Sequence, residues 1–170
     1  MPLLIDGYNL LNAAGILARG RGPGSLERAR LALLNTLVES LPEEEVQRTT
    51  VVFDASESPW GVAKQSNHRG IQVRFAAKDD DADTVIEELI KADSAPKRLT
   101  VVSSDHRIQR AAKRRKATAV DADLWFADLL RNRAERSRSS QNRENKPAGP
   151  LSVAEVENWM KELGFNPTDE

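Results

Sequence analysis

The sequence predicts an α/β fold in which a central, mainly parallel sheet is flanked by helices in three layers and followed by a C-terminal helical tail. Short apolar runs typical of buried strands alternate along the chain with longer segments whose apolar residues recur at helical spacing. Strands that alternate with helices form parallel sheets covered on both faces. The length of 170 residues, with 39% hydrophobic and 30% charged residues, fits one compact domain with an appendage.

Five segments are predicted to be strands: residues 2–5, 49–53, 71–75, 99–102 and 117–120. Apolar residues predict helices over residues 25–41, 82–92 and around 124–130, and a basic helix is expected over residues 107–115. Ser25 is expected to cap the first helix and Pro42 to stop it. The Gly- and Arg-rich residues 19–24 and the polar residues 56–70 are predicted to be loops.

The C-terminal part differs in composition from the rest of the chain. Residues 134–150 are polar and rich in Arg and Ser, a composition that cannot bury a core and that predicts a flexible linker. Residues 151–170 contain a capping box followed by one apolar stripe, which predicts an amphipathic helix. We therefore expect a main domain over residues 1–133, then the linker, then this helix.

Composition excludes several classes of site. The chain has no cysteine, so it holds no disulfide, thiolate nucleophile, iron–sulfur cluster or Cys-ligated zinc, and two His argue against a His-rich metal site. The apolar residues 1–5 meet Asp6 at once and are too short for a signal-peptide core, and no later apolar run approaches the length of a membrane span. We expect a cytoplasmic protein with no membrane partner.

The net charge of −1 conceals a segregation of charge along the chain. Residues 107–146 carry 12 basic and 5 acidic residues, whereas the rest carries 13 basic and 21 acidic residues. One region is therefore +7 and the other −8, which suggests one surface suited to phosphate backbones and another suited to cations. Solvation of exposed helices is an equally good interpretation of this charge.

Three of the predicted strands end in an aspartate: Asp6, Asp54 and Asp105. In an open parallel sheet the ligand site lies outside the carboxyl ends of the strands, so these side chains should converge. Asp83 lies in the first turn of the second predicted helix, which starts from the same edge. Any one such aspartate is also a common turn or cap residue, and residues 79–81 are best explained as acidic charges favoured at a helix N-terminus.

Several ionised carboxylates in a small site require a counter-charge, because like charges a few ångströms apart raise each other's pKa. A divalent cation supplies that charge, and ligation by oxygen alone suits Mg²⁺ or Mn²⁺. Such an ion can activate water and stabilise charge on a phosphoryl oxygen. The sequence therefore predicts phosphodiester hydrolysis with Mg²⁺ or Mn²⁺ and no small-molecule cofactor. Asn9 is either a turn residue or an amide that orients water or phosphate.

Four short motifs carry a resemblance to a known family. They are D-G-Y-N at residues 6–9, F-D-A at 53–55, A-D at 82–83 and S-S-D at 103–105. In order and spacing they resemble the bacterial YacP-like group of NYN-domain proteins, within the PIN-like nuclease superfamily, over about residues 1–133. The family usually has a small hydroxyl residue directly before A-D, where this chain has Asp81.

The resemblance implies a PIN-like fold and a metal-dependent endoribonuclease, since some members of the group cleave messenger RNA in association with the ribosome. It implies that Asp6, Asp83 and Asp105 hold the metal ion. It also implies that Asp54 is a further acidic member of the site and that Asn9 supports the first aspartate. RNA, and with it the ribosome, is the expected partner.

A nuclease also needs groups that hold phosphates, because its carboxylates repel the substrate. The residues expected to contact RNA are basic or aromatic: Arg19, Arg21, Arg107, Arg110, Trp60 and His68. The first two lie in the Gly-rich loop and the next two on the helix after Asp105. The last two lie in the polar loop before residue 71, where we expect them to stack on bases of a single strand.

Two other functions share some of these features. A response-regulator phosphoacceptor domain also has aspartates at the ends of five parallel strands, but it needs an adjacent acidic pair after the first strand, and here Asp6 is followed by Gly7. A non-catalytic RNA- or ribosome-binding module with a vestigial metal site is the remaining alternative.

Overall fold

The computed structural model describes residues 1–17, 24–54, 65–76 and 81–144, with side chains up to residue 139. The described residues form one six-stranded sheet with strand order β3-β4-β2-β1-β5-β6. The strands are β1 Leu3–Asp6, β2 Thr49–Phe53, β3 Gln65–His68, β4 Ile71–Phe75, β5 Thr100–Val102 and β6 Thr118–Val120. Every neighbouring pair is parallel except β3 with β4, which confirms the mainly parallel sheet.

Helices cover both faces of this sheet. They are α1 Gly7–Ala13, α2 Ser25–Ser40, α3 Glu43–Val46, α4 Ala82–Ala92, α5 His106–Arg114 and α6 Ala122–Glu144, with a 3-10 turn over Pro96–Arg98. Because side chains alternate along a strand, Leu3 and Ile5 of β1 pack with α1, α2 and the start of α6, whereas Leu4 packs with α4 and α5. This burial on both faces explains why the strands read as continuous apolar runs.

The prediction of a loop up to residue 70 is wrong for residues 65–68, which form the edge strand β3. Three of its four residues are exposed and polar, so the strand lacks the apolar alternation that predicts strands from sequence. The hairpin is closed by Arg69 and Gly70, whose φ angles are 50° and 102°. Two positive φ angles are typical of the tight turns that join antiparallel strands.

Two predicted boundaries also differ from the structure. Gly24, with a φ of 70°, is the N-cap of α2, and Ser25 is the first helical residue instead of the cap. Helix α6 continues to Glu144, so residues 134–144, predicted to be a flexible linker, are helical. Their polar composition argues only against burial in a core, while Arg, Glu and Gln all favour helix formation. The predicted terminal helix, residues 151–170, lies outside the described residues.

The chain divides into two compact units, Met1–Ala134 and Glu135–Glu170. The first contains the sheet and the helices that cover it. Of the second, the structure describes the helical segment that ends at Glu144. No helix in the described ranges combines the length and apolar character that crossing a membrane requires.

Candidate active site

The parallel strands place four aspartates along one edge of the sheet. Asp6 is the last residue of β1, and Asp54 directly follows β2. Asp105 follows β5 and is the N-cap of α5, and Asp121 directly follows β6. Because β2, β1, β5 and β6 are consecutive neighbours, these residues lie in a row at the carboxyl ends of the strands. Asp121 is an addition to the predicted set.

Asp6 is buried and held by hydrogen bonds from two residues. Its Oδ1 accepts from the backbone N–H of Asn9 at 3.1 Å, which makes Asp6 the N-cap of α1. Its Oδ2 accepts from the side-chain amide of Asn9 and from the hydroxyl of Ser103 at 3.0 Å. These donors fix the orientation of the carboxylate, and α1, which the sequence did not predict, begins directly at the site because of this cap.

The other residues of the D-G-Y-N motif also have physical roles. A Cβ at Gly7 would lie 2.3 Å from a ring carbon of Phe53 and 2.8 Å from the carbonyl oxygen of Val52, so only glycine lets α1 start this close to β2. The hydroxyl of Tyr8 accepts a hydrogen bond from Arg30 at 2.7 Å, and its ring meets Phe53 edge-on with centroids 6.1 Å apart. In this motif Asp6 caps α1, Gly7 lets α1 lie close to β2, Tyr8 contacts Phe53, and Asn9 donates to the carboxylate of Asp6.

Ser103 connects two of the site aspartates. Its side chain is fully buried, and its Oγ donates to Asp6 and accepts from the backbone N–H of Asp105, both at 3.0 Å. The side chain of Gln109 donates to the carbonyl oxygen of Ser103 at 2.9 Å. This hydroxyl therefore fixes the end of β5 to the end of β1.

Asp83, in the first turn of α4, shows that three of the carboxylates lie close together. Its pKa is raised above the ordinary value, first by burial and then by the negative charges of Asp105, Asp6 and Asp81. Arg107 opposes this shift. The structure therefore places Asp6, Asp83 and Asp105, which come from β1, α4 and the β5–α5 connection, near enough for their charges to act on Asp83.

Arg107 lies beside the start of α4. Its guanidinium pairs with Glu87 at 2.7 Å and lies 3.5 Å from Asp81 and 4.0 Å from Asp83. Its pKa is raised, chiefly by the hydrogen bond to Glu87. Asp81 is the N-cap of α4, and the hydrogen bond it accepts from Thr84 lowers the pKa of its carboxyl. Asp81 therefore fills the capping role that Ser or Thr would have at this position.

A buried arginine supports the end of β2. Arg30 of α2 is 5% exposed, and its Nη2 donates to the hydroxyl of Tyr8 at 2.7 Å and to the carbonyl oxygen of Asp54 at 3.1 Å. Its guanidinium lies between 5.4 and 5.7 Å from the ring centres of Tyr8, Phe53 and Phe75. Aromatic rings attract a cation at this distance. Arg30 therefore holds the backbone of Asp54 at the end of β2.

The sequence matches the YacP-like NYN domain over residues 3–163. The chain belongs to this family. The NYN domain is part of a nuclease superfamily, and the predicted PIN-like fold is confirmed. The match extends beyond residue 133, so it includes the predicted linker and most of the predicted terminal helix.

Two crystal structures of Rae1 (YacP) from Bacillus subtilis are similar to this NYN domain. One has a TM-score of 0.66 and 29% sequence identity, over 96% of this chain and 92% of that chain. A mutant form has a TM-score of 0.65 and 25% identity, over 87% of each chain. No curated protein matches the sequence.

The donor set of the NYN domain fits a divalent cation in its chemistry. Asp6, Asp83 and Asp105 offer carboxylate oxygens alone, which Mg²⁺ and Mn²⁺ prefer. The raised pKa of Asp83 shows that these groups repel one another, and a divalent cation would remove that repulsion. In the part of the chain that the structure describes, no three His or acidic side chains are arranged closely enough to hold a metal ion as they stand.

The basic residues predicted to hold RNA beside the site are both exposed on α5. Arg107 and Arg110 lie one turn apart, close to Asp105. Arg107 is engaged with acidic residues of α4, whereas Arg110 has no ion pair with any described residue. Arg19, Arg21 and Trp60 lie outside the described residues.

His68 does not belong to this site. It pairs with Ile71, the first residue of β4, and therefore lies at the amino end of that strand, away from the carboxylates. Its ring Nε2 is 2.9 Å from the side-chain oxygen of Asn35 on α2. The stacking of His68 on bases of a single-stranded RNA stays a prediction, and its place on the sheet separates it from the carboxylates.

Three residues of the site were not predicted from sequence: Ser103, Asp121 and Arg30. Each had a signal. Ser103 precedes Asp105 in a strand-end motif, and Asp121 ends a predicted strand just as Asp6 does. Arg30 occupies the helical stripe of Leu26, Leu33 and Leu37, where a charged residue is unexpected.

Proposed function

We propose that this NYN domain is a divalent-metal-dependent endoribonuclease that hydrolyses RNA phosphodiester bonds at the carboxyl edge of its sheet. The observation that carries the proposal is the buried hydroxyl of Ser103, which connects Asp6 to the backbone of Asp105 at the carboxyl ends of neighbouring strands, and the raised pKa of Asp83 supports it. An acidic residue in the first turn of a helix normally stabilises that helix through the dipole. Asp83 instead lies where burial and other carboxylates disfavour its charge, and such a perturbed carboxylate in a cluster is typical of functional sites.

Asp6, Asp83 and Asp105 would hold Mg²⁺ or Mn²⁺. A bound ion would activate water and stabilise the charge that develops on the phosphoryl oxygen. The residues around them provide orientation: Asn9 and Ser103 hold Asp6, and Ser103 also holds the backbone of Asp105.

The remaining predicted site residues have supporting roles in this proposal. Asp54 adds negative charge at the neighbouring strand end, and Arg110 offers a cation to a phosphate next to the site. The family resemblance favours messenger RNA on the ribosome as the substrate, and the cytoplasm as the compartment where the domain acts.

The test is cleavage of a mixed-sequence single-stranded RNA by purified protein with Mn²⁺, Mg²⁺ or EDTA. Asp6→Asn and Asp105→Asn are suitable variants because Asn also caps helices, so α1 and α5 should still form. Asp128→Asn, an exposed aspartate on α6, is the matched control. We expect metal-dependent cleavage by the wild type and the control, and none by the site variants, whose circular dichroism spectra should still be those of the folded protein.

A non-catalytic RNA-binding module is the second candidate, because Asp6 and Asp105 both cap helices and therefore have a structural reason to be present. Its expected result is RNA binding without cleavage under any metal condition. Retained cleavage in both site variants would instead place the chemistry elsewhere on the protein.

A further inference from the structure

A second charged surface lies away from the carboxylates. It is an open groove of about 570 Å³, and its charged lining residues are all basic: Lys97, Arg98, Arg114, Arg115 and Lys116. Its three other lining residues are uncharged. We call this surface the basic groove.

The basic groove lies at the opposite end of the sheet from the aspartates. One wall is the 3-10 turn Pro96–Arg98, which precedes β5, and the other is residues 114–116, which precede β6. Since β5 and β6 are parallel, both walls are at the amino ends of strands, whereas Asp105 is at a carboxyl end. Helix α5 connects the two ends, and nine residues at 1.5 Å each give a separation of roughly 13 Å.

One of the five cations builds the groove and the other four face it. Arg115 donates from Nη2 to the carbonyl oxygens of Lys91 and Asp93, at 3.3 and 3.0 Å, and so ties α5 to the end of α4. The remaining four are exposed, and none forms an ion pair with any residue in the described ranges: Lys97, Arg98, Arg114 and Lys116. No acidic side chain in the described ranges therefore pairs with these four cations.

Lys116 occupies a position that favours glycine. Its N–H donates to the carbonyl oxygen of Lys113, the N–H of Ala117 donates to that of Ala112, and its φ is 62°. This is the hydrogen-bond pattern that ends many helices, and the residue with positive φ in it is usually Gly, because a side chain there is strained. A lysine at this position weakens the turn and adds a cation to the groove.

The helix dipole of α5 accounts for only part of the cluster. It favours basic residues in the last turn, where Arg114 lies. Lys97 and Arg98 belong to a single 3-10 turn before a strand, which is too short to have a dipole like that of α5, so a helix dipole does not explain these two residues. A ligand that brings negative charge to the groove explains all four.

We infer that the basic groove binds the phosphate backbone of RNA, at a distance from the edge where the proposed cleavage takes place. The inference rests on the proposed function for the identity of the anion, because RNA is the polyanion that this domain must hold. The acidic edge repels that polyanion, and a rigid basic groove about one helix length away offsets the repulsion.

The first test measures RNA binding in EDTA, where cleavage is blocked, by fluorescence anisotropy with a single-stranded RNA of about 30 nucleotides and one of about 6 nucleotides. The groove variant is Lys97→Gln with Arg98→Gln. The matched control is Arg28→Gln with Arg48→Gln, which removes the same charge from exposed positions elsewhere.

We expect the groove variant to bind the longer RNA on the order of 10-fold more weakly, with a salt slope smaller by roughly 0.7 for each lost phosphate contact. The control variant should match the wild type, and cleavage of the shorter RNA should be equal in all three proteins. Equal loss of binding in groove and control variants would overturn the inference. The inference would also be overturned if poly-glutamate displaced RNA as well as an RNA with the same number of negative charges does, because the groove would then not distinguish phosphates from carboxylates. It would be overturned too if the wild type bound no RNA.

Lys116→Gly gives a second, independent test. Because glycine relieves the strain at this position, we expect a higher melting temperature together with weaker binding of the longer RNA. A lysine with a purely structural role would leave RNA affinity unchanged. Cleavage is measured separately from binding in these experiments, so a failure of the proposed nuclease activity and a failure of the groove give different results.

Discussion

Ser103→Ala removes a buried hydroxyl that connects two aspartates of the candidate site. Its donation to the buried carboxylate of Asp6 should contribute about 1.5–3 kcal/mol, and its acceptance of the Asp105 N–H about 1 kcal/mol. We therefore expect Ser103→Ala to lower the free energy of unfolding by about 3 kcal/mol. Because the hydroxyl also orients Asp6, we expect kcat for RNA cleavage to fall about 10-fold or more.

The adjacent Ser104→Ala is the matched control. The hydroxyl of Ser104 accepts one hydrogen bond, from the backbone N–H of Ala122 at 3.2 Å, so its loss should cost only about 1 kcal/mol. Urea unfolding followed by circular dichroism measures the stability of both variants, and single-turnover cleavage measures their activity. The reasoning would be refuted by equal losses of stability in the two variants, or by full activity of Ser103→Ala.

Three further changes test other parts of the site. Gly7→Ala should lower the free energy of unfolding in urea by about 3 kcal/mol, because the new methyl would lie 2.3 Å from the Phe53 ring. The control Gly15→Ala has open space around it but a φ of 63°, so it should lower the same free energy by only about 1 kcal/mol. The pKa of Asp83 is higher in the folded than in the unfolded chain, so its ionised form destabilises the fold. Asp83→Asn should therefore raise the melting temperature at neutral pH in EDTA. This gain should disappear as the pH falls below 3.8, the ordinary pKa of an aspartate, because the wild-type carboxyl is then protonated in both states. A lower melting temperature of the variant at pH 7 would contradict this. Arg30→Met should cost about 3 kcal/mol in urea unfolding, and Arg30→Lys should recover little of it because lysine lacks the planar donors. Full recovery in the lysine variant would show that charge alone matters there.

The charge segregation seen in the sequence has a spatial counterpart along α5. Asp105 caps its first turn at the acidic edge, and Arg114 lies in its last turn beside the basic groove. The proposed cation site and the proposed phosphate-binding groove would therefore lie at opposite ends of one helix. This arrangement suits a protein that binds a long polyanion and acts on one of its bonds.

Much of the fold could be predicted from the sequence because it depends on local spacing. Apolar runs identify the five parallel strands, helical periodicity identifies α2 and α4, and α5 follows from the basic segment between two predicted strands. The edge strand β3 was missed because its residues are polar, and α1 because its start depends on the cap at Asp6 and on the fit of Gly7 against β2. The helical residues 134–144 could not be recognised from hydrophobicity, because a helix with little apolar surface lacks the stripe that predicts helices.

The sequence by itself determined which residue types stand at the ends of the strands, and therefore that Asp6, Asp54 and Asp105 share one edge. Only the tertiary structure decided which side chains contact or influence one another there. The hydroxyl of Ser103 reaches Asp6 across 97 positions of chain, and the pKa of Asp83 depends on charges from two other segments. Periodicity determines the face of a helix or strand on which a side chain lies, and position in the sequence determines the end. Distances between atoms of separate segments depend instead on how the whole core packs.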